Sequence, residues 1–412
     1  MNLPAPLRAL GHRDYRLFWS GQVVSQIGSW MQVIGHGWLI LELTDSPLQV
    51  SLISVLQFAP MLLFSLLAGA VVDRLPKRRV ILVTQTGMAL AAFALAWLVS
   101  SGQVQYWHVA VLAFLVGTLW AFDTPGRHSF VVDMVGKEDL VSAQALNGTT
   151  LNTARMVGPA VAGLLVARYG VAPAFLLNGL SFLAVITALL AIRAEGRPAP
   201  RSGRSLLREV RQGLAFSLRE PHILVTLAGL VVLSLFAASF QILVPLLAKQ
   251  ELGLDAAGYG LLTAAQGMGA VGGAVLLTWQ SRRPIRYEMV AGAAALVCTT
   301  TLLMGFARHF WPAAALLLVI GLMQALFYPA SNTLMLVAAP DSLRGRVMSL
   351  FPLANAGTAP IGAAFTGMVA EWGGVHAAFG VGGALGLLCI ALLFLWWQTD
   401  LRHRPTPVIP EL

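Results

Sequence analysis

Long apolar runs dominate the sequence, and a short charged stretch between two of them most constrains the fold. Residues 48–72 and 80–99 are each largely apolar, and as α-helices rising about 1.5 Å per residue they can cross roughly 30 Å of hydrocarbon. Between them, residues 69–79 carry one acid and four bases: Asp73, Arg74, Lys77, Arg78 and Arg79. Because Lys and Arg accumulate in cytoplasmic loops, this pattern predicts a membrane hairpin whose charged tip faces the cytoplasm.

The composition agrees with a chain that lies largely in a membrane. Of the 412 residues, 57% are hydrophobic and 11% are charged, and the mean hydropathy is +0.74, outside the range of soluble domains. The net charge of +9 does not indicate nucleic-acid binding, because the bases lie in short segments between apolar runs. We therefore predict a multi-pass membrane protein with no nucleic-acid partner.

Twelve apolar runs predict twelve transmembrane helices. The expected fold class is an all-α membrane protein with two pseudo-symmetric six-helix bundles, 1–192 and 221–398, joined by a cytoplasmic linker at 193–220 and followed by a tail at 399–412. The predicted helices span residues 17–43, 48–72, 78–100, 106–124, 141–167, 171–192, 221–248, 257–280, 287–307, 311–338, 345–370 and 376–398. In the linker, residues 205–219 predict an amphipathic helix that either lies on an anionic inner leaflet or is simply solvated.

The distribution of Lys and Arg predicts the orientation. With both termini cytoplasmic, the inner segments hold 23 of these residues, and the outer loops hold three, namely Arg168, Lys249 and Arg308. This asymmetry is the positive-inside pattern. Tryptophans also fall at the predicted outer interfaces, as an aromatic belt requires: Trp107, Trp311 and Trp372.

The two halves repeat one another. Residues 50–53 with Gln57 match residues 259–262 with Gln266, and Pro125 with Gly163 matches Pro329 with Gly367. Parallel six-helix repeats of this kind place a substrate site at their interface near the bilayer midplane.

The charged loop resembles the signature of the major facilitator superfamily. The matching residues are Gly69, Asp73, Arg74, Lys77 and Arg78, while Pro76 stands where that family has Gly. The strings 123–127, 130–133, 137–140, 145–147 and 152–159 narrow the resemblance to the third drug:proton antiporter group, also called the transmembrane secretion effector family. That group includes siderophore and macrolide exporters. Gly158, Pro159 and Gly163 resemble its antiporter motif.

The resemblance implies a conformational latch in the charged loop. Asp73 would face the start of helix 11, whose free N–H groups favour an anion, and Arg74 would pair with Asp123 at the end of helix 4. Lys77, Arg78 and Arg127 belong to the same set. The alternative is that the loop only anchors topology. Because Arg282 stands where the second half would need the acid, the predicted latch is one-sided.

Arg155 falls about fourteen residues into helix 5, where an unpaired cation costs at least about 2.5 kcal/mol. Its partner is either a substrate or structural groups such as Asn147 and Asn152.

Helix 1 carries a polar stripe, spaced by three and four residues, that either lines the substrate cavity or joins helices. The predicted cavity residues are Arg155, Gln22, Gln26, Ser29, Trp30, His36, Gln57, Asn152, Gln241, Gln266, Gln324, Tyr328 and Asn355. The candidates for carrying a coupling proton are His36, Glu42 and Asp45.

These observations predict a secondary active transporter of a bacterial cytoplasmic membrane that exports an amphipathic small molecule, such as a drug or siderophore, in exchange for protons by alternating access. The expected partners are the substrate, protons and membrane lipids, and the protein is expected to be a monomer without a cofactor or metal. The alternatives are an uptake or facilitative transporter, or a membrane sensor or scaffold that does not transport. No nucleophile motif, metal-ligand cluster or phosphate loop indicates an enzyme.

Overall fold

The computed structural model describes residues 4–196, 206–237, 240–280, 285–340 and 343–400. Every regular element in these ranges is helical, which confirms the all-α fold class. Nine helical stretches there are long and apolar enough to cross a membrane. The first and fifth long helices are not among the nine, since they carry the polar stripe and the polar groups around Arg155.

The first half of the chain folds into six long helices after a 3₁₀ turn at Ala5–Gly11. They are α1 (Arg13–Thr44), α2 (Pro47–Arg74), α3 (Lys77–Ser100), α4 (Tyr106–Val135), α5 (Leu140–Tyr169) and α6 (Ala172–Ala191).

The predicted end of the fourth helix near residue 124 is wrong. The helix continues through Pro125 to Val135, although a proline inside a helix removes one hydrogen bond. Two local contacts support the continuation, because Thr124 Oγ1 donates to Trp120 O and Asp123 pairs with Arg127 one turn later.

The remaining helices are more numerous and more often interrupted. They are α7 (Leu206–Ser217), α8 (Pro221–Phe236), α9 (Phe240–Leu246), α10 (Ala256–Gln280), α11 (Tyr287–Met304), α12 (Phe310–Ala338), α13 (Arg344–Met348), α14 (Leu350–Ala356) and α15 (Ala359–Asp400). A π-helical segment, Leu247–Glu251, extends α9. Within α15, Gly374 has a non-helical backbone with a φ of 81°, so α15 is two helices joined at this residue.

The linker helix α7 packs on α13. Gly213 lies against the main chain of Arg346, where an added Cβ would be 2.6 Å from the Arg346 carbonyl oxygen. Ser205 and the side chains of residues 206–211 lie outside the part of the chain that the structure describes, as do Arg282 and residues 401–412 of the tail. The position of this helix on a lipid leaflet stays a prediction.

The chain divides into two compact units, and each includes one segment from the other half of the sequence. Unit 1 comprises residues 1–45, 56–202 and 254–264, and unit 2 comprises residues 46–55, 203–253 and 265–412. The start of α2 therefore belongs to unit 2, and the start of α10 belongs to unit 1.

Helix crossings at close-packed glycines occur at matching places in the two units. In unit 1, a Cβ added to Gly117 of α4 would overlap the Gln57 carbonyl of α2, and in unit 2 a Cβ added to Gly321 of α12 would overlap the Gln266 carbonyl of α10. A second pair also matches: Gly163 of α5 lies against Ala256 and Gly260, and Gly367 of α15 lies against Pro47 and Ser51. Small residues let the helix backbones approach closely at equivalent places.

Candidate functional site

The polar stripe of α1 is divided between helix contacts and half-buried positions. Gln22 accepts a 2.8 Å hydrogen bond from Arg127 Nη1 of α4, Gln32 Oε1 accepts from Asn178 Nδ2 of α6, and the His36 ring lies 5.2 Å from the Phe175 ring. These three residues are buried and join α1 to α4 and α6. The half-buried members of the predicted cavity set in α1 are Gln26, Ser29 and Trp30.

Asp123 of α4 is fully buried at the centre of a charged network in unit 1. Its Oδ2 lies 2.6 Å from Arg127 Nε. Its Oδ1 accepts hydrogen bonds from Thr84 Oγ1 at 2.8 Å and Gln85 Nε2 at 3.1 Å. A buried carboxylate requires both a cation and hydrogen-bond donors to offset its desolvation, and this site supplies both.

The predicted pairing of Arg74 with Asp123 is not the one in this structure. Arg74 is exposed at the end of α2, and Arg127 occupies the position beside the Asp123 carboxylate. A cation four residues away on the same helix reaches the acid without any rearrangement of the loop. Asp73 lies in α2, and its side chain is outside the described part. A Cβ at Gly69 would meet nothing within 4 Å. The latch stays a prediction.

Lys77 and Arg78 fasten the start of α3 to three other parts of unit 1. Lys77 Nζ donates to Asp133 Oδ2 of α4 at 2.7 Å, and Arg78 donates to the last carbonyls of α6, those of Leu189 and Leu190. A cation at a helix C-terminus satisfies carbonyls that lack helical partners. The backbone N–H groups of Lys77 and Arg78 also donate to the carbonyls of Gly196 and Glu195.

The same end of unit 1 contains a cleft of about 470 Å³ lined by Asp133, Arg193, Ala194, Glu195 and Gly196. Asp14 Oδ2 accepts hydrogen bonds from the N–H groups of Arg193 and Ala194. The first residues after α6 are thus held by α1 and α3. The sequence analysis missed Asp14 and Asp133, since neither follows a repeating pattern.

Arg155 of α5 lies over an aromatic ring of α1. Its Cζ is 5.1 Å from the centroid of the Trp30 ring, which is cation–π distance. Gly158, one turn later, makes room for this arrangement because it lies against Trp30 Cβ and the Ile27 carbonyl. The sequence analysis placed both Arg155 and Trp30 in the cavity set without pairing them. Asn147 Oδ1 accepts from the Tyr15 hydroxyl at 3.4 Å, and Asn152 is half-buried.

The remaining antiporter-motif residues form the crossing of α5 with the start of α10. A Cβ at Gly163 would lie 2.8 Å from Gly260 Cα, and one at Gly260 would lie 2.5 Å from the Pro159 carbonyl oxygen. Beside this crossing, the Trp38 and Tyr259 rings stack at 6.4 Å.

Only some of the predicted polar residues of the second half meet in unit 2. Gln266 Nε2 donates to the buried Gln324 Oε1 at 3.3 Å. Tyr328 is half-buried, with its ring 5.4 Å from that of Phe327. Gln241 is exposed, and the Asn355 carbonyl accepts from Ser234 Oγ.

The predicted proton carriers are separated from one another. His36 is buried against Phe175, whereas Glu42 and Asp45 are exposed, and Asp45 ends α1 with a positive φ of 48°. The sequence analysis missed two acids of unit 2. Glu251 Oε2 lies 3.1 Å from His376 Nε2 and 3.7 Å from Arg308 Nη1. Glu371 Oε2 accepts from Ser46 Oγ and the Leu48 N–H at the start of α2.

Solved structures with similar folds are transporters. The chain superposes on a peptide transporter crystallised with sulfate with a TM-score of 0.75 and 13% identity, covering 94% of each chain. It superposes on the nucleoside transporter NupG with a TM-score of 0.70 and 12% identity, covering 95% of this chain and 99% of the other. At such identities the likeness shows the fold alone.

Sequence relatives match nearly the whole chain. The multidrug efflux pump Tap of Mycolicibacterium fortuitum is 30% identical, covering 92% of this chain and 95% of its own length. The staphyloferrin A transporter of Staphylococcus aureus (strain NCTC 8325 / PS 47) is 23% identical, covering 94% and 97%. The enterobactin exporter EntS of Escherichia coli O9:H4 (strain HS) is 24% identical, covering 96% and 94%. Because the model of the family described as "Transmembrane secretion effector" matches residues 4–404, the chain belongs to this family of multi-pass membrane transporters.

Proposed function

We propose that the protein exports amphipathic small molecules across a bacterial cytoplasmic membrane in exchange for protons, by alternating access and as a monomer. The observation that carries the proposal is the 30% identity to a multidrug efflux pump over 402 residues, which covers nearly all of both chains. The relatives named for siderophores extend the substrate class beyond drugs to oxygen-rich metabolites.

Twelve transmembrane helices with both termini cytoplasmic form part of the proposal. Nine stretches of the described residues are apolar enough on their own. α1 and α5 are long enough as well, with 32 and 30 residues, and some of their polar side chains, those of Gln22, Gln32 and Asn147, contact other helices. Division of the last stretch at Gly374 supplies the twelfth. Lys and Arg then lie mainly on the cytoplasmic side.

The residues proposed to meet substrate combine aromatic surface with a few polar groups. In unit 1 these are Arg155 over Trp30, with the half-buried Gln26, Ser29 and Asn152. In unit 2 they are Gln266, Gln324 and Tyr328. Binding sites for bulky organic molecules have this mixture of apolar lining and isolated hydrogen-bonding groups. Arg155 favours substrates with anionic or oxygen-rich groups.

Asp73 is proposed to control the exchange between conformations. Lys77 and Arg78 are engaged with Asp133 and the end of α6, so they stabilise unit 1 whatever the loop does. Lys and Arg alone in this loop are enough to set the orientation of the helices in the membrane. The presence of the acid Asp73 in the same loop therefore requires another explanation. We expect Asp73→Asn to slow substrate flux severalfold in proteoliposomes while the thermal unfolding midpoint of the purified protein is unchanged. Unchanged flux would exclude the latch.

The test of the whole proposal uses proteoliposomes with an imposed pH gradient and an internal pH dye. Ethidium, erythromycin and enterobactin are added one at a time, with radiolabelled or fluorescent forms measured in parallel. We expect at least one probe to cross the membrane together with proton movement in the opposite direction. Probe flux without proton movement would refute proton coupling, and the absence of any protein-dependent flux would favour a sensor or scaffold.

A further inference from the structure

The contact between Glu251 and His376 in unit 2 joins two interrupted helices. Glu251 is the last residue of the π-helical segment that extends α9. His376 lies two residues after Gly374, where the helical backbone of α15 is broken. π-Helical turns are frequent at functional sites, and discontinuous helices are a recurrent feature of secondary transporters.

We propose that Glu251 and His376 together form the site that takes up the coupling proton from the outer medium. The inference rests on the proposed proton-coupled export and on the proposed topology, which places both residues at the outer ends of their helices. An exporter driven by protons must load them from the outside. The two groups are close enough to act together, because the carboxylate oxygen of Glu251 and the Nε2 atom of His376 are 3.1 Å apart.

The two side chains of the pair differ in burial. The His376 side chain is 14% exposed and that of Glu251 is 30% exposed, so water reaches the acid while the imidazole is largely enclosed. Among the described residues, neither His376 Nδ1 nor His376 Nε2 has a hydrogen-bond partner, and both atoms are buried, so the Glu251–His376 contact is an ion-pair contact without hydrogen-bond geometry. Imidazole is the side chain that ordinarily changes charge between pH 5 and 8. Uptake of one proton converts the pair from a single negative charge to neutrality.

Other charged groups on the adjoining elements set the local field. Arg308, ahead of α12, lies 3.7 Å from Glu251 and is 64% exposed. Lys249 is in the same π-helical segment, and His309 follows Arg308. In α15, Glu371 is engaged with the start of α2. With Arg308 beside it, the unprotonated pair is balanced in charge, and protonation leaves a net positive charge that can drive a rearrangement.

A close approach of the main chain fixes the position of His376. Gly305 ends α11, and a Cβ there would be 2.9 Å from the His376 carbonyl oxygen. The segment after Gly374 therefore packs against the end of α11. The contact also couples the protonation state to helix positions, since Glu251 and His376 belong to elements that are separate in the chain.

A merely structural ion pair is the alternative, and His12 with Asp139 in unit 1 provides the comparison. Their side chains are 2.8 Å apart, with exposures of 40% and 22%. This pair consists of the same two chemical groups and is hydrogen-bonded, but it lies just before the starts of α1 and α5, away from any interrupted helix. His12→Asn is therefore a matched control for the loss of an imidazole–carboxylate contact.

The experiment measures proton movement and probe exchange separately in proteoliposomes containing the full chain. For the probe with the largest wild-type response among ethidium, erythromycin and enterobactin, we expect Glu251→Gln and His376→Asn each to reduce probe-driven proton movement at least about tenfold. Exchange of labelled probe at equal pH on both sides should stay within about twofold of wild type, because it needs no net proton transfer. Glu251→Gln preserves the shape of the side chain and removes its charge, so packing contacts that depend on shape would survive it.

Each outcome separates this inference from the proposed function. Wild-type proton movement that persists in both variants overturns the assignment of the pair and leaves proton-coupled export intact. An equal loss of proton movement and exchange, or an equal loss in His12→Asn, shows a structural role and also overturns it. If the wild-type protein moves probe without protons, proton coupling itself fails and the inference fails with it.

Discussion

At the scale of single residues, the buried charges of unit 1 are the groups whose loss has the clearest cost. Asp123 has no solvent exposure and is held by one cation and two hydrogen-bond donors. Replacing one member of such a network leaves the other charge buried and uncompensated, which costs more than the interaction itself contributes. The network joins α3, α4 and, through Gln22, α1.

Asp123→Asn keeps the shape of the side chain but removes the charge beside Arg127. We expect a loss of about 1 to 3 kcal/mol in the free energy of unfolding of the protein, because the Arg127 side chain is 22% exposed and water screens part of its charge. The measurement is the thermal unfolding midpoint of the purified protein in detergent. Glu288→Gln, at an exposed position in the first turn of α11, is the control, and equal midpoints for both variants and wild type would contradict the prediction.

Arg155→Ala tests whether the cation over Trp30 contacts substrate or only joins α5 to α1. A hydrogen bond to a charged group contributes about 1.5 to 3 kcal/mol, so we expect probe affinity to fall by at least about tenfold if the guanidinium binds the substrate. The measurement is equilibrium binding by quenching of tryptophan fluorescence. Arg155→Lys retains the charge and should recover part of the affinity. Intact binding and turnover in Arg155→Ala would exclude a substrate role.

At the scale of helices, close crossings at small residues organise each unit. Gly163 and Gly260 bring α5 against the start of α10 in unit 1, and Gly367 brings α15 against the start of α2 in unit 2. At Gly163 and Gly260 the nearest atoms to an added Cβ all belong to the main chain, so even a methyl group must move the backbone. In lipid, where apolar side chains gain little from meeting one another, such packing supplies much of the association between helices.

Gly163→Ala should weaken the crossing of α5 with α10. The new methyl group would lie 2.7 Å from the Ala256 carbonyl oxygen, and we expect destabilisation of about 1 to 3 kcal/mol together with slower probe flux. Gly148→Ala in the same helix is the matched control, because nothing lies within 4 Å of an added Cβ there and Ala favours a helix over Gly by about 1 kcal/mol. Equal unfolding midpoints and flux in the two variants would show that the crossing tolerates a methyl group.

At the scale of the whole molecule, the distribution of Lys and Arg predicts the orientation of the helices in the membrane. The many bases of the first loop, the linker and the loops of the second half lie on one side of the predicted helices, and only three lie on the other. Moving Lys or Arg across the hydrocarbon is costly. The orientation in turn decides which protonatable groups face the outer medium, and the proposed role of Glu251 and His376 depends on it.

The proposed orientation can be tested by labelling single cysteines in intact cells. In a background with Cys298→Ser and Cys389→Ser, we expect Ser101→Cys between α3 and α4 to react with a membrane-impermeant maleimide added outside. Lys137→Cys between α4 and α5 should react only after the membrane is permeabilised. Both positions are exposed, so access depends on the side of the membrane. The reverse pattern would contradict the proposed topology and, with it, the outer location of the proton site.

The sequence by itself determined that the chain is all-helical, that most of its helices are long and apolar enough for a membrane, and to which family it belongs. These properties depend on the length of apolar runs, the placement of Lys and Arg, and motifs contiguous in the chain. Only the tertiary structure decided which polar groups meet: Arg127 rather than Arg74 beside Asp123, Trp30 under Arg155, and His376 beside Glu251. Such pairs depend on how helices distant in sequence rotate and cross, and that is set by the packing of whole helices rather than by any local pattern.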